Sequence, residues 1–287
     1  MILKEVYSSV KDMLSSAGVE SADFEARILI SELLGLSLSD LFIKFNDEVD
    51  EKSYKKLVSC CKRRADGEPL QYIIGKWDFM GRSYNVGPGV LIPRPETELL
   101  CEEIIEVLKN KKEAVVYDLC SGSGCIGITI KKECPDTDIY LIEKSQQALS
   151  YLMQNATELM KNTFYTIVKG DVLKLDLFDN YPPADIIVSN PPYIKSEEVP
   201  LLQKEVTFEP SMALDGGEDG LVFYKYIVAE WSKKLKSDGE IFFEIGEDQG
   251  QAVSDMFISI GFDSRVIKDY NNHDRIVKGR KKAYNDF

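Results

Sequence analysis

The sequence has a single histidine, His273, in 287 residues, and none of its six cysteines stands in a C-x-x-C pair. A zinc site of cysteine and histidine needs such ligands in close spacing, so no metal site is expected. The thiols Cys60, Cys61, Cys101, Cys120, Cys125 and Cys134 are expected to be reduced and structural. No uninterrupted apolar run comes near the ~20 residues that span a bilayer. The opening stretch MILKEVYSSVKDML mixes charges with apolar residues and lacks the basic-then-apolar order of a secretory signal, so a cytoplasmic protein without a membrane partner is expected. Positive charge is also scarce. Lys and Arg number 35 against 48 Asp and Glu, and the net charge of -13 repels phosphate backbones, which argues against direct nucleic-acid binding. The late basic cluster KGRKKAY reads as a solvated tail. No Gly-Lys-Ser/Thr is present, hence no P-loop, and no internal repeat or low-complexity tract.

What is present is the balance of a globular protein, 44% hydrophobic and 29% charged, long enough for one large or two ordinary domains. Residues 1 to 74 carry helical periodicity. Leu3, Val6, Val10 and Leu14 recur at spacings of three and four, which predicts one buried helix face. A second helix is expected after the N-cap residue Ser21, with Phe24, Ile28 and Leu33 as its apolar stripe and Gly35 as its stop. A third spans LSDLFIKF, and a fourth follows Asp50 with Tyr54, Leu57, Val58 and Cys61 turned inward. Four such helices without a catalytic constellation predict a small bundle for recognition or support. Between 75 and 95, Trp77 and Phe79 alternate with Tyr84 and Val86 across Gly81, which predicts a β-hairpin; Pro88, Pro93 and Pro95 then make an extended connector. From residue 96 onward strand-like and helix-like segments alternate, the pattern of an α/β fold with a mostly parallel, seven-stranded sheet covered by helices on both faces.

Within that region VVYDLCSGSGCIGITI combines a strand, a glycine-rich turn and a helix start, an arrangement that brings a ligand against bare backbone. Gly122, Gly124 and Gly127 match G-x-G-x-x-G, a weak signal by itself. Glu143 lies 19 residues beyond Gly124 and ends the second strand, where an acid accepts hydrogen bonds from ribose hydroxyls. Both a nicotinamide cofactor and S-adenosylmethionine carry such a ribose. The third strand ends in Gly170 and Asp171, where an acid reaches an adenine amino group. The fourth ends in Asn190, Pro191, Pro192 and Tyr193, for which a dehydrogenase has no use.

This order of motifs resembles the class I S-adenosylmethionine methyltransferases whose fourth strand ends in N-P-P-Y, enzymes of nitrogens conjugated to a π-system. The linker PGVLIPRPETE (88 to 98), the upstream RRADGEPLQYIIG (63 to 75), the downstream FEPSMALDGGEDGL (208 to 221) and the terminal DRIVKGR (274 to 280) are similar to the peptide chain release factor glutamine methyltransferases, the PrmC/HemK family. The likeness spans nearly the whole chain. It implies a Rossmann-like class I methyltransferase domain over 96 to 287, preceded by a helical substrate-recognition domain over 1 to 74 and a hairpin and proline-rich linker over 75 to 95. It also implies a reaction: transfer of a methyl group from S-adenosyl-L-methionine to the glutamine amide of the Gly-Gly-Gln motif in release factors, modulating translation termination, with S-adenosyl-L-homocysteine as product. A ribosomal-protein glutamine and a DNA or RNA amino group are the alternative substrates; the linker favours release factors over the first, the acidic charge over the second.

Residue by residue, the resemblance assigns the cofactor's methionine part to Cys120, Ser121, Gly122, Ser123 and Gly124, its ribose to Glu143 and its adenine to Asp171 and Val172. Asn190 borders the cofactor and, with Pro191, Pro192 and Tyr193, forms the catalytic quartet. An amide nitrogen is a poor nucleophile, so the task is alignment and stabilisation of developing charge. The Asn190 side-chain oxygen and the Pro191 carbonyl are two acceptors for one NH2 group, the proline rings hold the carbonyl rigid, and Tyr193 offers a stacking face. Cys120 stands where the family commonly has glycine, so a positive φ there would mean local strain. The family often has aspartate where Glu143 stands. Cys120 and Cys125 have no cation in the local sequence to activate them and are expected to pack. Arg94, Glu96 and Thr97 either border the site or belong to an ordinary loop.

Overall fold

The computed structural model describes residues 1 to 174 and 181 to 281, so the last residues of the basic KGRKKAY cluster lie outside it. The chain divides into two compact units. One holds Met1–Trp77 together with Gln203–Phe208, the other Asp78–Leu202 and Glu209–Phe287.

Five helices build the first unit: α1 (Leu3–Ser16), α2 (Ala22–Leu34), α3 (Leu38–Ile43), α4 (Glu51–Ala65) and α5 (Leu70–Ile74). The fifth was not separable by periodicity, because five residues between Pro69 and Gly75 make little more than one turn. Leu3, Val6, Val10 and Leu14 are buried as their spacing predicts. On α2 the stripe is shifted. The inward residues are Ala22, Ala26, Leu29 and Ile30, while Phe24 is 52% exposed. The alanines share one arc of the helix with Leu29, Ile30 and Leu33, and that arc faces α1 and the core, while Phe24 falls on the opposite side, nearer Arg27 and Glu32. Ser21 sits at the N-cap position, but its hydroxyl donates to Glu25 rather than accepting from the helix. On α4 the residues turned inward are Leu57, Cys60, Cys61 and Arg64, with Val58 only half-buried. Arg64 is buried and donates to Glu25 of α2 and to Glu205 of the inserted segment, so its charge is neutralised from two elements.

The strands β1 (Lys76–Phe79) and β2 (Arg82–Asn85) form the expected hairpin, turning through Met80 and Gly81, both at positive φ, the geometry that matches strand twist. The connector is not extended throughout, since it turns at Gly87 to Val90, where the Val90 amide donates to the Gly87 carbonyl (3.3 Å) and Gly89 has positive φ; α6 (Pro95–Leu108) begins on Pro95 itself, at the first helical position where the missing N–H costs nothing. Then follow β3 (Val115–Leu119), α7 (Cys125–Glu133), β4 (Asp138–Glu143), α8 (Gln146–Leu159), β5 (Thr166–Lys169), β6 (Ala184–Ser189), α9 (Val222–Glu230), β7 (Leu235–Glu244), α10 (Gly250–Ser259), β8 (Phe262–Lys268) and β9 (Asp274–Lys281). The sheet order is β5-β4-β3-β6-β7-β9-β8, parallel through β7 and antiparallel where β9 pairs with β7 and β8. This is the seven-stranded, mostly parallel sheet that the alternation of segments predicts.

Both faces are covered, so the central strands read as near-continuous apolar runs. Val116, Leu141, Ile186 and Val188 pack with Leu100, Ile104, Ile130 and Leu152 on one side; Tyr117, Leu119, Ile187 and Phe243 pack with Tyr224, Ile227 and Phe257 on the other. Each fully buried side chain of this kind contributes roughly 1.5–3 kcal/mol. Gly279 of β9 lies under α10 so closely that an added Cβ would stand 2.3 Å from the Phe257 ring. Gly279→Ala is therefore expected to force α10 off the sheet and destabilise the second unit by about 1–3 kcal/mol, measured by chemical denaturation.

Candidate active site

The chain runs outward from β3 through β4 to β5 and then returns to place β6 on the other flank of β3. At such a reversal the loops leaving the two central strands part in opposite directions and open a crevice at the strand ends. A cavity lies there, lined entirely by residues of the second unit. Cys120 to Ser123 line it after β3, Glu143 to Ser145 after β4, Gly170 to Val172 after β5, and Asn190 and Pro192 after β6. The connector from Gly89 to Arg94, Thr97 of α6, Cys125 and Ile126 of α7, Ile142, Ala148, Pro210, Met212, Ala213 and Phe223 complete the wall.

The glycine-rich turn is held by the acid that ends β4. Glu143 accepts from the Gly122 amide (2.8 Å) with one carboxylate oxygen and from the Ser145 amide (2.6 Å) with the other, so each oxygen keeps acceptor capacity for a ligand. Gly122 and Gly124 both have positive φ. Gly124 caps α7 rather than lining the cavity, and a side chain there would strike Leu152 and Ile128. Cys120 has φ 61°, so the strain that a non-glycine residue brings to this position is present. Burial pushes the Cys120 thiol well up and the Cys125 thiol up to about 12, which keeps both protonated and unreactive.

Asp171 is opposed by partial burial, yet the Lys144 ammonium (3.0 Å) and the Leu173 amide (3.1 Å) hold its carboxyl below the ordinary value. Pro191 is buried, and neither it nor Tyr193 lines the cavity. The Tyr193 ring packs against the apolar cluster on the α9 and α10 side, its carbonyl accepts from the Gln249 side chain (3.0 Å), and burial pushes its phenol up to about 12. Asn190 does reach the cavity, and its Nδ2 donates to Thr97 Oγ1 at 3.3 Å. Glu96 and Thr97 belong to the first turn of α6 rather than to a loop; Arg94 and Thr97 line the cavity and Glu96 does not. Glu209, itself buried, fixes this wall by accepting from the Ile92 amide (3.0 Å) and from the Arg94 guanidinium.

Two buried acids escaped the sequence reading. Glu244 ends β7 and accepts from Thr97 Oγ1 at 2.6 Å; burial pushes its carboxyl up to about 7, Thr97, Arg275 and Asn190 hold it down, and Glu96 adds to the rise. Asp118, near the end of β3, accepts from the Gly127 amide (3.0 Å) with one oxygen while the other has no partner among the described residues. Burial, with a contribution from Glu143, pushes Asp118 up to about 7. The signal for both was present: each is an acid at the carboxyl end of an apolar strand, the same context that singled out Glu143.

The crevice, with the antiparallel β9 slotted between β7 and β8, defines a class I methyltransferase domain. Residues 97 to 225 match the methyltransferase small domain, and residues 5 to 75 match the PrmC N-terminal domain. The fold is shared with a methyltransferase from Pyrococcus furiosus, at TM-score 0.53 and 15% identity over 70% of this chain and 90% of that one. Over its length the chain is 38% identical to the release factor glutamine methyltransferase of Thermodesulfovibrio yellowstonii, covering 88% of this chain and 90% of the relative. It is 36% identical to that of Clostridium botulinum, covering 98% and 100%. The chain belongs to the release factor glutamine methyltransferase family.

A carboxyl whose folded pKa is raised stabilises the fold only while protonated. The Asp118 contribution is full below its ordinary value of 3.8 and is lost as pH rises through about 7. Asp118→Asn, which keeps an acceptor for Gly127, is expected to unfold at higher denaturant than the wild type at pH 8, by about 1–3 kcal/mol, with the gap closing toward pH 5.

Proposed function

We propose that the cavity binds S-adenosyl-L-methionine and that Asn190 presents the glutamine amide of a release factor to it, so that the side-chain nitrogen is methylated. Bound there, the cofactor supplies a sulfonium methyl group as the electrophile and departs as S-adenosyl-L-homocysteine. The residues present suit it: the Glu143 carboxylate retains acceptor sites for ribose hydroxyls, Asp171 is ionised beside Val172 for an adenine edge, and the turn from Cys120 to Ser123 lines the cavity without bulky side chains.

The observation that carries the reading is the orientation of Asn190. The Thr97 hydroxyl has one proton and gives it to Glu244, so toward Asn190 it only accepts, and Asn190 must turn its NH2 group to it. The Asn190 carbonyl oxygen is thereby left free to accept an N–H of the substrate. In this reading the second acceptor is the carbonyl of Pro191, although Pro191 itself does not line the cavity, and the two acceptors fix the plane of the substrate amide. Both bonds strengthen as the nitrogen becomes positive, which favours the transition state over the ground state. Two rings in succession hold the Pro191 carbonyl still. No general base is required before transfer.

The five-helix unit is the proposed docking element for the release factor, with a Gly-Gly-Gln loop delivering the glutamine. Matching the PrmC N-terminal domain over residues 5 to 75 supports this role. No described helix is long and apolar enough to cross a membrane, and a cytoplasmic site of action fits a substrate of translation. Incubation with labelled S-adenosyl-L-methionine and, separately, release factors, ribosomes and DNA tests the reading. Label is expected on the release factor alone, and Asn190→Ala is expected to lower transfer about 100-fold or more while cofactor affinity changes little. Label on DNA with none on release factor would overturn it.

A further inference from the structure

We infer that Glu244 and Thr97 form a relay that selects which atom of Asn190 faces the cavity, so that the reaction runs only when the Glu244 carboxyl is ionised. The inference rests on the proposed role of Asn190 as the acceptor for the substrate amide.

Thr97 and Glu244 are 2% and 1% exposed, so bulk water does not compete for their hydrogen bonds. The chain of contacts is short: Glu244 Oε2 to Thr97 Oγ1 at 2.6 Å, and Thr97 Oγ1 to Asn190 Nδ2 at 3.3 Å. Every member has a fixed inventory. An ionised carboxylate only accepts, a hydroxyl donates once, and a primary amide donates from one end and accepts at the other. With Glu244 ionised, the direction of both bonds is set and Asn190 Oδ1 points away from Thr97.

Protonation reverses the chain. The new O–H of Glu244 donates to Thr97 Oγ1, the Thr97 proton is released to the Asn190 side, and Asn190 is stabilised after a half-turn that puts Oδ1 against Thr97. An NH2 group then faces the NH2 group of the incoming glutamine, donor against donor, and the acceptor that holds the nucleophile is gone. Thr97 touches no reacting atom in this scheme, and neither does Glu244; both are positioning residues.

The surroundings put this change in the working range. Around Glu244 stand Arg275 of β9 and the Asn190 amide itself, which favour ionisation, Glu96 of α6, which opposes it, and Tyr193 beyond β6. The Tyr224 hydroxyl donates to the Glu244 backbone carbonyl, and the Cys101 and Cys125 thiols are kept protonated by burial. Arg275 is shared with Asp269 and the Ile245 carbonyl, so it offsets burial only in part, and the carboxyl sits at about 7.

The side-chain amide of Asn190 reports the switch without substrate or cofactor. In the 15N-labelled full chain, with its NH2 pair assigned by its loss in Asn190→Ala, the pair is expected to shift between pH 5.5 and 8.5 with one midpoint near 7. The midpoint should disappear in Glu244→Gln and Thr97→Val, persist in Thr97→Ser, and persist in Asp118→Asn, which removes the other buried carboxyl of similar pKa. In the transfer assay kcat is expected to fall about tenfold per pH unit below the midpoint with the cofactor KM unchanged. Thr97→Val should lower kcat about tenfold and flatten that limb, and Thr97→Ser should restore both. An Asn190 pair that ignores pH in the wild type, or a Thr97→Val enzyme with wild-type kcat and the same acid limb, overturns the relay. If the wild type labels no release factor, the functional reading falls, and the resonance of Asn190 still decides the relay.

Discussion

The site depends on one strand pairing. β3 and β6, separated by some seventy residues of chain, lie parallel with Leu119 opposite Ser189, and the Ser189 hydroxyl donates to the Leu119 carbonyl at 2.7 Å. Because of that register, the residues that follow, Cys120 and Asn190, emerge side by side at the carboxyl edge of the sheet. A slip of one residue would turn Asn190 to the opposite face of the sheet and exchange the apolar residues of the two cores. The register is held by Val116, Ile186 and Val188 packing to one side and by Tyr117 and Ile187 to the other, so the hydrophobic pattern of two strands sets the position of a polar side chain.

Around this pairing the polar groups work in layers. Glu143 ties the turn after β3 to the end of β4, Glu209 ties the connector to the wall, and Glu244 ties α6 to the residue after β6 through Thr97. Each acid is buried, and each reaches backbone amides or a hydroxyl on a different element. Rigid placement of Asn190 suits its proposed role as acceptor, since a weak nucleophile depends on alignment. The strained backbone at Cys120 belongs to the same economy of space: the turn must bend there to let backbone face the cavity, and a side chain is carried at some cost where glycine would carry none.

The helical unit follows other rules. Its core formed around periodic apolar residues, and on α2 the inward arc is the one that carries Ala22, Ala26, Leu29 and Ile30, which leaves Phe24 outside. A buried arginine joins α2, α4 and the segment 203 to 208, which in sequence closely follows Asn190 to Tyr193. Periodicity cannot report a pairing of that kind, because Arg64 and Glu205 are far apart in the chain and each looks like an ordinary surface charge.

Local chemistry made much of this protein legible. Alternating strand and helix segments specified the sheet, Pro95 and Gly35 marked helix ends, and the positions of the glycine turn, Glu143, Asp171 and Asn190 at strand ends pointed to the edge where the cavity opens. Tertiary structure alone decided the rest. It put Tyr193 into an apolar cluster rather than on the cavity wall, brought Thr97 from the connector helix to Asn190, and buried Glu244 beside both. Those outcomes depend on burial and on distances between residues remote in sequence. An acid's pKa and an amide's orientation are fixed by what surrounds them in space, and no run of neighbouring residues contains that information.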